Sequence, residues 1–361
     1  MIKTSSGSAP VYSNLKALAF HDRLEALRER RLVAPVNIRI KPINHCNHDC
    51  WYCAYRVGHL QLGNKIDLKD AIPPDKMMEI ADDIVAMGVR AVTFTGGGEP
   101  LLYKTLPECI ERLTDGDVRV GALTNGSNLK GRVADVFAER ATWVRVSIDA
   151  WDAKSYAEAR HIKEDAFAKL IVNMENFSKR DTDCVLSASV IIGRENHDHL
   201  YDLCKVLKDA GLKHIKLAGV IISNEGAENN VYHRQLKPRV TEEIKRAMTL
   251  SDDQCRIVDH YHELDERFER HYEICPTIQF TPVIGADCVV YTCQDKAFTE
   301  AGALGSIKDR SFKEFWLSDE CREKAYAVNP SIHCTHNCAS HQKNLLVTDF
   351  IATDKDHLMF V

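Results

Sequence analysis

The stretch "HCNHDCWYC", residues 45–53, places three thiols, Cys46, Cys50 and Cys53, in one short loop. Spacing this tight lets three sulfurs converge on a single centre. Structural zinc is usually closed by four ligands arriving as two pairs, and the next cysteine, Cys109, is far downstream. A disulfide would leave one thiol over and calls for an oxidising compartment. A 4Fe–4S cube held by three thiolates keeps one iron free for a further ligand. On spacing alone a zinc or adventitious site stays open beside it.

A second set lies toward the end of the chain: Cys275, Cys288, Cys293, Cys321, Cys334 and Cys338. Four thiolates there suit either another iron–sulfur cluster or a structural zinc. Cys321, in "SDECREKAYAV", falls in a helical pattern and reads as structural. Cys109, Cys184, Cys204 and Cys255 sit in apolar contexts and read as small core hydrophobes. His45, His48 and His336 flank the cysteines and read as surface or supporting groups rather than ligands.

These residues need elements to hold them. Strand-like segments at 36–43, 89–100, 118–128, 142–151, 184–193 and 214–223 alternate with helical ones such as 75–88 and 197–211. Alternation of this kind implies a parallel sheet with right-handed crossovers. Six units are too few for a closed eight-fold barrel. The expected fold is therefore α/β, a partial TIM-like (β/α)6 barrel with an open side and a small Cys-rich α+β domain after it. The expected organisation is an N-terminal extension at 1–35, the barrel at 36–240, a helical linker at 241–272 and the Cys-rich domain at 273–361, with short strands in "TIQFTPVIGADCVVYTC". The first cysteine loop follows the first strand at its carboxyl end, where α/β sites form.

The chain has 361 residues, 45% hydrophobic and 27% charged, which leaves room for one large α/β domain and an appendage. A net charge of −5 argues against a polymeric nucleic-acid partner, though a single nucleotide remains open as substrate. No apolar run is long enough for a signal peptide or a bilayer span, so no membrane partner is expected and the expected compartment is the cytoplasm. Thirteen cysteines in a reducing compartment point to metal or redox chemistry.

The pattern C-x3-C-x-Φ-C, with Tyr52 directly before Cys53, resembles the signature of radical S-adenosylmethionine (SAM) enzymes. The resemblance implies that Cys46, Cys50 and Cys53 ligate a 4Fe–4S cluster whose open iron is chelated by the methionyl amine and carboxylate of SAM. One electron then cleaves SAM to methionine and a 5′-deoxyadenosyl radical that abstracts a substrate hydrogen. Gly97, Gly98 and Glu99 in "TGGGEP" match the family's GGE motif, whose backbone holds the methionyl amine. Ser147 and Asp149 in "VSIDA" fall where the family places ribose contacts, though Asp149 also suits a helix cap. In "SVIIGREN", Val190 or Ile192 is expected against adenine and Asn196 near ribose or adenine; plain strand core is the alternative for the apolar pair. Asn125 in "LTNGSN" is placed near the cofactor or in a simple turn.

The tail resembles the family's auxiliary-cluster extensions, SPASM and its shortened relative, the twitch domain. Cys275-x12-Cys288-x4-Cys293 puts Cys288 where the pattern has glycine, so Cys275 and Cys293 are the implied ligands, with Cys334 and Cys338 of "CTHNC" as the second pair. Cys288 in place of one of the four, and zinc in place of a cluster, stay open. The x3 spacing and the lack of a later cysteine favour one auxiliary cluster over two.

The resemblance leaves the substrate open. About 35 residues precede the first strand, too few for the winged-helix module with which many relatives grip a leader peptide. Small polar metabolites (sugars, aminocyclitols, nucleotides) are expected, with dehydrogenation as one outcome. A leaderless peptide-modifying maturase is the alternative, and a non-catalytic iron–sulfur electron carrier is the alternative of another class. The segment 54–70 is expected to overhang the open mouth, and Arg56, His59, Lys65, Arg194, Lys216 and Arg234 are the candidate substrate contacts. An electron donor such as flavodoxin or ferredoxin is the implied partner.

Overall fold

A computed structural model describes residues 12–58, 60, 62–261, 270–357 and 359–360. Its frame is one ten-stranded sheet. β1 (Asn37–Ile40), β2 (Ala91–Phe94), β3 (Arg119–Thr124), β4 (Trp143–Ser147), β5 (Val185–Ile192), β6 (His214–Gly219) and β7 (Arg256–Asp259) are parallel and sit side by side in chain order. Helices cross between them, and their apolar faces form the core against the sheet. The crossover Pro74–Met87, for example, buries Met77, Ile80 and Ile84 and stops at Gly88, whose φ of 72° closes the helix in the left-handed region that glycine tolerates.

Beyond β1, the tail adds β8 (Val283–Ile284), β9 (Val289–Tyr291) and β10 (Ala303–Ser306) to the same sheet. β8 lies parallel to β1, pairing Arg39 with Val283 and Ile40 with Ile284, while β9 and β10 are antiparallel. An exposed edge at β1 would be an open template for pairing. The tail covers it. The segment before β1 also docks on the tail: Arg28 donates through Nε to the carbonyl of Ile351 at 3.1 Å and through Nη2 to that of Phe350 at 3.1 Å.

Two expectations change. The helix Gly226–Met248 runs straight through the expected boundary at 240, and the segment read as a helical linker contains β7, paired to β6. "TIQF" is helical rather than extended, because Pro276 occupies the first turn of the helix Pro276–Phe280, where its missing N–H costs nothing. The segment 54–70 lies at the mouth, as expected, and also packs on the tail: the Lys65 amide donates to the Phe298 carbonyl at 3.0 Å, and Tyr55 and Ile66 pack with Tyr291 and Phe298. Among the described residues no helix is long and apolar enough to cross a membrane.

Phe94 ends β2, is fully buried, and sets the exit of the chain into the Gly-rich turn. Phe94→Ala is expected to destabilise the protein by about 3–5 kcal/mol, read as a lower urea midpoint at unchanged denaturant slope.

Candidate active site

The first cysteine loop leaves β1 and is stitched to its surroundings by backbone bonds. Cys53 N–H donates to the Cys50 carbonyl at 3.0 Å, and Asp49 N–H to the Arg160 carbonyl at 3.0 Å. Cys46, Cys50 and Cys53 are free and partly buried. Burial pushes the Cys46 thiol up to about 11 and Cys53 up as well. A positive centre bound here would deprotonate them. Two sulfurs have a nitrogen donor beside them: Arg160 Nη1 lies 3.3 Å from Cys50 Sγ, and Asn125 Nδ2 lies 3.9 Å from Cys46 Sγ.

The Gly-rich turn packs directly on this loop. Gly98 N–H donates to the Ile43 carbonyl at 3.1 Å and Glu99 N–H to that of His45 at 3.0 Å. A Cβ at Gly98 would stand 2.0 Å from the His45 carbonyl oxygen, and one at Gly97 would stand 2.2 Å from Asn44 Oδ1. Glycine is required for the approach. The Glu99 carboxylate is buried and fully used. Oε1 accepts from Leu101 N–H at 2.9 Å and Thr124 Oγ1 at 2.5 Å, and Oε2 from Asn125 N–H at 2.7 Å. It clamps the end of β2 to the end of β3, so its backbone, not its side chain, faces any ligand on the turn. Beneath the turn Lys41, wholly buried, donates to the Gly96 carbonyl at 2.7 Å and to Tyr55 Oη at 2.8 Å.

Asp149 caps no helix; that task falls to Asp152, which accepts from Ser155 N–H at 2.7 Å. Asp149 instead anchors a buried network. Its Oδ2 accepts from the Tyr52 hydroxyl and from Arg160 Nη2 at 2.7 Å, and its Oδ1 from Ile191 N–H at 2.6 Å. Arg160 Nη2 also reaches the Ser147 carbonyl at 2.8 Å, while Arg160 Nε is buried without a partner in the protein. Asn196 likewise serves the chain itself: its amide bonds to Gly193 N–H, the Asp149 carbonyl and the Ile191 carbonyl at 2.8–2.9 Å. It ties neighbouring strand ends together. Asn125 does stand at the cysteine loop, bonded to Asn47 Oδ1 at 2.9 Å.

Two cavities meet above the sheet. One, of about 200 Å³, is walled by Tyr52, Ala54, Ile191, residues Gly219–Ile221 and, from the tail, Asp295 and His336. Val190 and Ile192 point into the core instead, each with 0% exposure, because neighbours on a strand face opposite sides. Ile191 is the residue that faces the mouth. The other cavity, of about 120 Å³, is lined by Cys275, Cys293, Cys334 and Cys338 together, and Asp295 and His336 line it too. Burial pushes Cys275 and Cys338 up to about 12. Cys288 and Cys321 lie in the main core and line neither cavity. Among the described residues no three His, Cys, Asp or Glu side chains converge on a point that one metal ion could occupy.

The candidate substrate contacts are scattered. Arg56 pairs with Asp49 at 2.9 Å and Lys65 with Glu300 at 2.8 Å. Arg194 donates to Gln235 Oε1 at 2.9 Å over the Tyr232 ring, and Lys216 lies 5.7 Å from the Tyr12 ring centre. Arg234 is exposed in mid-helix, not in a loop. None of these five lines the mouth cavity. His59 lies outside the described residues. Two residues of the site, Arg160 and Lys41, are not evident from the sequence. Arg160 is distant from the cysteines along the chain, and Lys41 has the setting of an ordinary strand lysine. The signal available for Lys41 is its place in "IRIKPI", on the same strand face as Arg39 and directly before the loop.

Residues 40–207 match the family model described as "Radical SAM superfamily". The chain is 35% identical over 122 residues to a probable GTP 3′,8-cyclase of Halobacterium salinarum, covering 34% of this chain and 33% of that protein. It is 29% identical over 182 residues to the GTP 3′,8-cyclase of Helicobacter pylori, covering 50% and 53%. These alignments thus span about a third to a half of the curated relatives. In fold it resembles Streptococcus suis SuiB bound to precursor peptide SuiA, with TM-score 0.63 and 14% identity over 96% of this chain and 81% of that one. It also resembles anSMEcpe with bound AdoMet and Cp18Cys peptide, with TM-score 0.57 and 15% identity over 88% and 97%.

Gly98→Ala is expected to lift the Gly-rich turn off the cysteine loop. Hydrogen exchange should then accelerate at the substituted residue and at Glu99, while Gly58→Ala, where a Cβ meets nothing within 4 Å, leaves both unchanged. Equal exchange in the two variants would remove the close-packing argument.

Proposed function

From the match of residues 40–207 to the radical SAM superfamily, we propose that the chain is a radical SAM enzyme that functionalises an unactivated C–H bond of a small polar metabolite. In this reading Cys46, Cys50 and Cys53 hold a 4Fe–4S cluster, and SAM lies with its methionyl end on the Gly97–Gly98–Glu99 backbone. When bound, the cluster and SAM together supply the 5′-deoxyadenosyl radical that removes the substrate hydrogen. The chain's own residues do the rest. Glu99 holds the turn in place, and Asp149 fixes both Arg160 and Tyr52. The unpartnered Nε of Arg160 is a buried donor for a carboxylate, the group that the methionyl end presents. Tyr52, Leu60, Leu62, Ile191 and Ile221 offer a largely apolar wall suited to adenine.

The observation that carries the reading further is the shared wall. Asp295 and His336 line both the mouth cavity and the cavity of the four tail cysteines. It supports a second 4Fe–4S cluster on Cys275, Cys293, Cys334 and Cys338, within reach of the reacting centre. A one-electron acceptor there suits oxidation of an alcohol carbon, and we assign the enzyme to that dehydrogenase class. The GTP 3′,8-cyclase relatives favour a nucleotide among the metabolites; the peptide complexes of SuiB and anSMEcpe, similar in fold alone, are what favours the maturase alternative. A carrier protein has no use for a SAM-holding turn, so the non-catalytic reading is set aside. A flavodoxin or ferredoxin is the proposed donor.

The test is to incubate anaerobically reconstituted, reduced protein with SAM and deuterated sugar, aminocyclitol and nucleotide pools, following label into 5′-deoxyadenosine by mass spectrometry. Replacing Cys46, Cys50 and Cys53 together by Ala should remove about four irons per chain and abolish SAM cleavage; surviving cleavage sinks the assignment. In that background the tail should keep its own about four irons, with one zinc and no iron as the contrary result. Removing the tail ligands should spare 5′-deoxyadenosine formation but block the oxidised product. If product forms at the normal rate, the tail site is structural and the dehydrogenase assignment falls.

A further inference from the structure

The cavity of the four tail cysteines has a charge pattern that the proposed function leaves unexplained. Arg270 lines it at only 7% exposure. Its Nη2 donates to the His336 carbonyl, inside the Cys334–Cys338 loop, but Nε and Nη1 are buried with no partner in the protein. Buried guanidinium donors are almost always satisfied, so two idle ones on a residue that lines a cavity point to an anion that belongs there. Arg39 from β1 and Lys343 from the helix His341–Ala352 line the same cavity. Among the described lining residues Asp295 is the one carboxylate, and its Oδ2 already accepts from Ala339 N–H at 2.9 Å. Three cations therefore face one acid around four thiols.

We infer that Arg270, aided by Arg39 and Lys343, is a positioning residue that balances the charge of a four-thiolate cluster and raises its reduction potential. The inference rests on the proposal that the tail holds such a cluster. A 4Fe–4S core with four thiolates is a dianion when oxidised and a trianion when reduced. Taking up one electron, with no proton, thus adds negative charge to a buried group. Nearby cations and N–H donors to sulfur favour the more negative state. Asn344 Nδ2, 3.8 Å from Cys275 Sγ, works in the same direction. A cluster so placed is poised to accept an electron rather than to deliver one at very low potential, which is the property an alcohol oxidation needs.

The experiment is a mediator-controlled redox titration, read by electron paramagnetic resonance, on full-length protein carrying Cys46→Ala, Cys50→Ala and Cys53→Ala so that the tail cluster alone is seen. At the solution potential where the parent is half reduced, Arg270→Met should show a reduced-to-oxidised ratio about tenfold lower, equivalent to about 59 mV for one electron. Arg270→Lys, which keeps the charge, should recover most of the difference. Lys343→Met, on the partly exposed rim, should shift the ratio the same way by less. An unchanged ratio in Arg270→Met with iron intact overturns the inference. If Arg270→Met loses its iron, Lys343→Met decides, and a parent-like ratio there overturns it equally. Zinc without iron in the parent overturns the tail-cluster reading itself and this inference with it, and metal analysis separates that failure from the other.

Discussion

Both edges of β1 are occupied, and the rest of the molecule follows from that. On one side β1 pairs with β2 and begins the parallel series; on the other it pairs with β8 from the tail. The first cysteine loop leaves the carboxyl end of β1, and β9, antiparallel to β8, leads into Cys293. A single strand thereby fixes the distance between two groups of thiols that lie more than two hundred residues apart in sequence. Side chains then fill the gap. Tyr55, two residues after Cys53, accepts from Lys41 and from the Gln294 amide, and Gln294 directly follows Cys293. The two loops share one buried hydrogen-bonded seam.

The mouth of the barrel is a region where polar side chains are spent on one another. Glu99 ties the end of β2 to that of β3, and Asp149 and Asn196 tie the end of β4 to that of β5, along one rim. Buried polar groups of this sort rigidify a site when every member is satisfied. The rim holds backbone, thiols and the Tyr52 ring in position, and what remains for a ligand is mostly apolar surface and the unused Nε of Arg160.

The strand series was legible because alternating apolar runs and Gly stops mark each unit locally, and each of the six expected strands contains an observed one. What sequence left dark was parity and long-range partnership. The three central residues of "SVIIG" are all β-branched and apolar, so their types do not tell Ile191 from Val190 and Ile192; pairing with β4 and β6 sets which face meets the mouth. Asn196 and Asp149 have the chemistry of ligand-binding residues because their side chains suit either a ribose or a backbone amide, and the fold supplied the amides. Arg160 comes from the far end of the crossover Ala153–Arg160, and its contact with Cys50 arises only when that helix lies over the loop. Arg270 carries no local pattern at all. The expected break at 240 failed because a change in residue composition does not end a helix; α-helical hydrogen bonding continues across it to Met248.

The pairing of β1 with β8 also has a consequence for biosynthesis. Ile40 emerges from the ribosome long before Ile284, its strand partner. At roughly 5–20 residues per second, the interval is on the order of tens of seconds. Throughout it the β1 edge lacks its cover, and the thiols of Cys46, Cys50 and Cys53 lack the seam formed with Gln294. The nascent chain is thus at its most vulnerable to oxidation and to edge-to-edge pairing while the tail is still being made, and arrival of the tail both seals the sheet and shelters the sulfurs.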